Sequence, residues 1–203
     1  MPNHKNFAKT LAATAALLAV TFALTACSSG SDQLANQFRE GSGKNYIAGD
    51  GTVSEFAQGN RAEPVAWAGI TESGEQLSSA QLTGVPTVIN FWYAGCAPCR
   101  AEAKDLQALA EEFAAAGVQF IGVNVRDSAA TAAAFDRNFG ITYPSVMDAN
   151  TGEVVLAFTG VVSPQAVPTT LVIDKQGRVA SRILGRLEKG TLKALIETVV
   201  AEK

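Results

Sequence analysis

Histidine is almost missing from these 203 residues, His4 being the single example. Basic residues are not in excess, since 16 Lys and Arg stand against 19 Asp and Glu for a formal charge of −3. A nucleic-acid site needs a concentrated basic face, and this balance offers none. It offers no polybasic patch for a membrane surface either. No internal repeat is visible, and no apolar run comfortably reaches the roughly 20 residues of a transmembrane helix. Cysteine is scarce, with three in the chain: Cys27, Cys96 and Cys99. What remains, 47% hydrophobic and 17% charged residues, is the composition of a folded globule. The length allows one domain with appendages.

Lys5 and Lys9 lie ahead of an Ala/Leu-rich core over residues 10–24, the layout of a signal peptide. Leu24-Thr25-Ala26-Cys27, followed by Ser28-Ser29-Gly30, resembles the bacterial lipoprotein processing box. The resemblance implies a signal peptide over residues 1–26 and a diacylglycerol thioether on Cys27. An ordinary signal peptide with an incidental cysteine is the alternative. Each buried CH₂ contributes roughly 0.8 kcal/mol, so two or more acyl chains anchor stably. Removing residues 1–26 takes Lys5 and Lys9 and no acid, leaving 14 basic against 19 acidic residues. Gly41-Ser42-Gly43 and Gly49-Asp50-Gly51 mark residues 27–51 as a flexible tether. About 20 residues of such coil span roughly 25 Å. The expected location is extracytoplasmic, lipid-anchored to the bacterial cell membrane.

Beyond the tether, strand and helix patterns alternate. Residues 85–91 are a short apolar run ending at Trp92, the pattern of a strand buried on both faces. Within residues 98–116, Leu106, Leu109, Ala110 and Phe113 fall on one helical face, and Gly117 stops the helix. Residues 118–125 form a second buried strand and Ala129–Phe139 a second helix closed by Gly140. Thr169–Ile173 and Val179–Leu184 flank Asp174-Lys175-Gln176-Gly177, a hairpin signal. Leu192, Leu195, Ile196, Val199 and Val200 trace a C-terminal amphipathic helix. With a short strand or two from residues 52–82, the order β-α-β-α-β-β-α gives an α/β sandwich around a mixed sheet.

Three cysteines in an exported chain leave an odd thiol. If lipid takes Cys27, Cys96 and Cys99 have only each other. Structural zinc needs four Cys- or His-type ligands, which one mature chain lacks. Haem attachment needs His directly after the second Cys, and position 100 is Arg. The C-x-x-x-C with His of copper carriers is also missing. A static staple remains open, although so short a loop removes little unfolded-chain entropy. The redox reading has positive support, because the pair sits where a buried strand hands over to an amphipathic helix. That puts Cys96 at a helix N-terminus, whose unsatisfied N–H groups and dipole favour the thiolate and lower the thiol pKa below about 8.5. Pro98 suits the first turn. Cys96 is then the nucleophile, and Cys99, one turn in and expected to be more shielded, is the resolving thiol.

The segment Asn90-Phe91-Trp92-Tyr93-Ala94-Gly95-Cys96-Ala97-Pro98-Cys99-Arg100-Ala101-Glu102 resembles the active-site segment of the thioredoxin superfamily. Specifically, it is similar to the TlpA/ResA-like branch of membrane-attached thiol-disulfide oxidoreductases, which includes reductants of cytochrome c maturation. The likeness covers about residue 60 to 203 and includes Gly122-Val123-Asn124-Val125-Arg126-Asp127, Tyr143-Pro144 and the run from Val167 to Asp174. It implies a thioredoxin-like domain over residues 52–203, with a mixed central sheet flanked by helices on both faces. It implies that Pro168 is a cis-proline beside the cysteines, presenting the Val167 backbone to substrate. Glu102 matches a carboxylate thought to shuttle protons for the buried thiol; otherwise it is an exposed first-turn glutamate favoured by the dipole. Asn90 stands where cytoplasmic thioredoxins carry a buried Asp, and an amide cannot take a proton, which favours Glu102 as the base. Many relatives have Trp before the first cysteine. Gly95 here implies a roomier entrance and leaves Trp92 as the aromatic beside the site, either facing substrate or packing in the core. Asp127 and Arg126 read as a loop salt bridge or turn cap.

The resemblance implies no cofactor and no metal. Its implied partners are exported protein thiols or disulfides, such as apocytochrome CxxCH sites, and a membrane electron-transfer protein that recharges the pair. A disulfide-introducing oxidase has the same chemistry. A thiol peroxidase shares the fold, but its Pro-x-x-x-Thr/Ser-x-x-Cys loop is not found. A binding-only lipoprotein is the non-enzymatic alternative.

Overall fold

The computed structural model describes residues 52–162 and 166–202. The expected signal peptide, the lipid-bearing Cys27 and the tether lie outside the described residues. In chain order the elements are β1 Val53–Glu55, β2 Ala68–Ile70, β3 Gln76–Ser78, β4 Thr87–Trp92, α1 Ala97–Phe113, β5 Gln119–Asn124, α2 Ala129–Phe139, β6 Ser145–Met147, α3 Glu153–Ala157, β7 Thr169–Ile173, β8 Val179–Leu184 and α4 Lys189–Ala201. The sequence reading does not anticipate β6 and α3. At three and five residues, neither is long enough to show a period.

Six strands form one sheet in the order β1-β8-β7-β4-β5-β6, and β2 pairs with β3 separately. β4, β5 and β6 run parallel, joined by helical crossovers, whereas β7 lies antiparallel to β4 and β8. The sheet is therefore mixed, as expected. Every residue of β4 is buried, because both faces of this central strand are covered. Val88 points into a cluster with Leu106 and Leu109 of α1 and Leu192 and Ile196 of α4. Ile89 and Phe91 point the other way, against Val154 of α3 and Phe158. Trp92 returns to the α1 face and meets Phe135 of α2. The period of two along one strand thus divides the core into its layers.

Two devices hold this frame. At the end of the sheet away from the cysteines, Arg61 bonds both Asp174 and Glu202, tying the segment before β2 to the end of α4. Burial alone would push the Asp174 carboxyl up. Hydrogen bonds from Arg178 and Arg61 outweigh that and hold it below the usual carboxylate range. At the other end, Gly122 of β5 lies on one rung with Asn90 and Ser145. Without a side chain at 122, the Trp92 indole passes over β5 and donates from Nε1 to Ser145 Oγ at 3.2 Å.

A methyl group at Gly122 would collide with Ser145 Oγ and lie 2.6 Å from Trp92 Nε1. Gly122→Ala should therefore destabilise the protein by about 2–4 kcal/mol, from overpacking and the loss of a buried hydrogen bond. Urea unfolding followed by Trp fluorescence measures this. An unchanged midpoint would mean that the indole is not held across β5.

Candidate active site

β4 delivers the chain to the cysteines through a braced loop. The Asp127 carboxylate Oδ2 accepts from the backbone N–H of Ala94 at 2.6 Å and from Asn124 Nδ2 at 2.8 Å. Asn124 Oδ1 in turn accepts from the Asp127 N–H at 2.8 Å. Asp127 is thus a cap, and what it caps is the approach to the site. Cys96 N donates to Tyr93 O at 3.1 Å, closing the turn. Cys96 is then the N-cap of α1, with extended backbone, and Pro98 falls in the first turn. The Cys99 N–H points at Cys96 Sγ, 3.2 Å away. This donor is one that helix geometry leaves without an internal partner. An anionic sulfur in that position gains both a hydrogen bond and the positive end of the helix dipole.

Cys96 and Cys99 are joined as a disulfide, their Cα atoms 5.3 Å apart. Facing them is the turn before β7, where the Val167–Pro168 peptide bond is cis. The Val167 carbonyl oxygen lies 4.0 Å from Cys96 Sγ. The turn is fixed on both sides: Pro168 O accepts from Gly185 N at 2.8 Å, and Thr169 Oγ1 donates to Ala166 O at 2.7 Å. The shielding expected of Cys99 alone is shared by both sulfurs, since Cys96 is 0% exposed and Cys99 2%. The reason is that Tyr93 and Val167 pack around Cys96 in the same apolar cluster that holds Cys99, Ala103 and Phe135. Gly95, just before Cys96, is exposed. A Cβ there would already touch the Tyr93 ring at 3.4 Å.

Glu102 is not an exposed first-turn residue. It is 0% exposed, one turn beyond Cys99 on the same side of α1. Its Oε1 accepts from Asn90 Nδ2 at 3.0 Å and its Oε2 from the Leu187 N–H at 3.0 Å. The other Asn90 amide hydrogen goes to Thr170 Oγ1 at 3.0 Å. Burial pushes the Glu102 carboxyl up to about 8, against the opposing pull of the Leu187 and Asn90 bonds and of Arg186. A carboxylic acid that titrates near neutrality beside a thiol is suited to exchanging a proton with it.

Trp92 is 5% exposed, with its indole 4.3 Å from the Phe135 ring and its N–H spent on Ser145. This places it behind the cysteines as packing and not at the entrance, because the alternation of β4 turns residue 92 toward α2. Tyr93, next along the chain, carries the Arg126 guanidinium stacked over its ring at 4.5 Å. Sequence reasoning did not single out Thr170, Leu187 or Asp136. Thr170 faces the same rung as Asn90 two residues after Pro168, and strand alternation could have found it. Leu187 acts through its backbone, which leaves no sequence signal. Asp136 interrupts the apolar stripe Ala132, Phe135, Phe139 of α2, and an acid on such a stripe is itself a signal.

Residues 59–182 match the AhpC/TSA family. The thiol-disulfide oxidoreductase ResA of Geobacillus thermodenitrificans is 33% identical over 126 residues, covering 62% of this chain and 70% of that protein. The thiol:disulfide interchange protein HelX of Rhodobacter capsulatus is 32% identical over 114 residues, 56% of this chain and 60% of that protein. Among solved structures, a DsbF homologue from Corynebacterium diphtheriae superposes with a TM-score of 0.66 at 33% identity, over 75% of this chain and 96% of its own. A secreted thiol-disulfide isomerase from Corynebacterium glutamicum gives 0.69 at 30% identity, over 78% and 98%. A paired-cysteine helix N-terminus facing a cis-proline, on a mixed sheet shared with these proteins, makes the chain a thioredoxin-fold thiol-disulfide oxidoreductase that belongs to the AhpC/TSA family and resembles its ResA-type members.

Proposed function

We propose that the chain reduces disulfides of exported proteins. The observation that carries the exchange chemistry is the Cys99 N–H aimed at the Cys96 sulfur, which favours a thiolate at the start of α1 once the pair is reduced; the reducing direction is supported by the likeness to ResA-type relatives. The Cys96 thiolate attacks a substrate disulfide and forms a mixed disulfide. Cys99 then attacks Cys96 Sγ, releasing the substrate as a dithiol and leaving the Cys96–Cys99 disulfide. The substrate lies extended along the Val167–Pro168 backbone, where main-chain hydrogen bonding binds without regard to side chain. Trp92 supports the site from behind. Glu102, buried one turn from Cys99, exchanges the proton of the resolving thiol, a task the Asn90 amide cannot perform.

The compartment and partners in this reading follow from the N-terminal segment. Residues 1–26 are removed, Cys27 carries the lipid, and residues 27–51 tether the domain of residues 52–203 to the outer face of the membrane. Compartments of that kind supply no soluble reducing buffer, so a membrane electron-transfer protein recharges the pair. Anchoring confines both partners to one surface. The likeness to ResA-type relatives supports substrates of the cytochrome c maturation class. The likeness to a secreted isomerase and a DsbF homologue favours a second reading, in which the pair forms or rearranges disulfides.

Reduction potential separates these. A reductant should equilibrate with glutathione or dithiothreitol at a potential near that of thioredoxin, about −270 mV, whereas a value near −120 mV marks an oxidant and would sink the first reading. Partner identity follows from Cys99→Ser in the full chain, which should accumulate mixed disulfides through Cys96. An empty trap, with no activity on insulin disulfides, would leave a binding protein. The state of Glu102 is testable through stability. With its carboxyl raised to about 8 from 4.5, the folded protein binds a proton that the unfolded chain gives up. The stability from this group is fully present below about pH 4.5 and is lost as pH rises through 8, at about 1.4 kcal/mol per pH unit between. Glu102→Gln should flatten that decline in urea unfolding of the oxidised protein at pH 5 and 8. Parallel pH profiles for the two proteins would mean that Glu102 is not held neutral.

A further inference from the structure

Asp136 stands on the face of α2 that packs against the cysteines, one residue after the buried Phe135. Its Oδ1 is fully buried and accepts no hydrogen bond from the described residues. An orphaned buried carboxylate oxygen is unfavourable and calls for an explanation. The oxygen belongs to a residue in the wall of a small cavity of about 10 Å³, shared with Asn90, Trp92, Cys99, Phe135 and Tyr143. That is room for a single water molecule. The Trp92 N–H is committed to Ser145 and the Asn90 amide to Glu102 and Thr170. Asp136 is therefore the acceptor such a water would meet on the α2 side. Unlike Glu102, which is sealed beneath the Leu187 backbone, Asp136 is half-buried and opens to solvent.

We propose that Asp136 is a second proton-exchange residue for the resolving thiol, working from α2 beside Glu102 on α1 and connecting Cys99 to bulk water through one water molecule in this cavity. The proposal rests on the reading of Cys99 as the resolving cysteine. In the mixed disulfide, the Cys99 S–H bond breaks and its proton passes through the water to the Asp136 carboxylate. The freed electron pair forms the bond to Cys96 Sγ. The bond from Cys96 to the substrate sulfur breaks, and the substrate departs as a thiolate that takes its proton from solvent. Two electrons leave the cysteine pair for the substrate, and no other oxidant is involved. Asp136 then returns its proton to bulk water on its open side.

The charged surroundings suit this task. Burial pushes the Asp136 carboxyl up to about 6, Glu72 from the β2–β3 turn adds to the rise, and Arg137 on its own helix opposes it. From the segment before β6, the buried Tyr143 hydroxyl is raised first by burial and then by Glu102 and Asp136 together. Both carboxylates thus act on the same small space around Cys99, one from α1 and one from α2.

The experiment uses the full chain, reduced and mixed with the aromatic disulfide 5,5′-dithiobis(2-nitrobenzoate). Attack by Cys96 releases the first thionitrobenzoate, and attack by Cys99 on the adduct releases the second, so the two steps are read separately. Asp136→Asn and Asp136→Ala should leave the first phase unchanged and slow the second by about tenfold near neutrality. The inflection near pH 6 in the second phase should disappear, and the variants should rejoin the parent protein at about pH 9, where a thiol ionises unaided. A second phase with the parent's rate and profile in both variants would overturn the proposal. So would a slowing that is equal at every pH, which is the mark of a merely structural residue. If the unsubstituted protein shows no second phase at all, the resolving role of Cys99 fails first and takes the proposal with it.

Discussion

One backbone hydrogen, the N–H of Cys99 directed at the sulfur of Cys96, sets the conditions for everything else in the structure. A helix start is the place in a folded chain where donors lack partners, and a sulfur there can serve as their acceptor. The arrangement works only if the strand before it arrives at a fixed height and angle. Asp127 supplies that by holding the Ala94 N–H. The Gly122 gap supplies it again by letting Trp92 lock β4 onto β6. Neither residue touches a sulfur, yet each decides where the helix begins.

The same burial that protects the sulfur creates a proton problem. Thiols must lose and regain protons in every cycle, and a site closed by Tyr93, Val167 and α1 gives water little access. The rung at Asn90 shows how the chain deals with this. An amide at the strand position bonds Thr170 on one side and Glu102 on the other, so the titrating carboxyl has moved from β4 to α1. Glu102 is held from above by the Leu187 N–H, and the loop that carries Leu187 also supplies the Gly185 N–H that fixes the Pro168 carbonyl. The buried carboxyl and the cis-proline turn are therefore tied to one loop. A change in the charge of Glu102 acts on the same few backbone bonds that hold the cis-proline turn.

Much of this was legible in the sequence. The strand run ending at Trp92, the helical stripe Leu106–Leu109–Phe113 and the cysteine spacing state the site almost completely, because each is a local pattern with one physical solution. Pro168 and Glu102 were reached by resemblance; the Val167–Pro168 bond is cis and the Glu102 side chain is buried. What the sequence could not convey is which surfaces close over which. Cys96 looked like the open partner because it precedes the helix, but the turn bearing Val167 comes from 71 residues away, and its cover is invisible to local pattern. Trp92 looked available because a neighbouring tryptophan is absent. In fact, the missing side chain at Gly122, on another strand, draws its ring inward. β6 and α3 escaped notice because they are held by their pairing and packing partners and not by any period of their own.

A buried disulfide on a braced scaffold also bears on how partners are chosen. With both sulfurs covered, no substrate reaches Cys96 by collision from an arbitrary direction. The edge that faces Cys96 is the Val167 carbonyl, which offers little side-chain chemistry. At the rim, Arg126 stacks on Tyr93 and Arg100 on Phe139 at 5.2 Å. Two guanidinium groups held over aromatic faces are positioned charges and not free tentacles, because the rings restrict them. Reactivity, proton traffic and access are then assigned to separate residues around one pair of sulfurs, which lets each be tuned without moving the others.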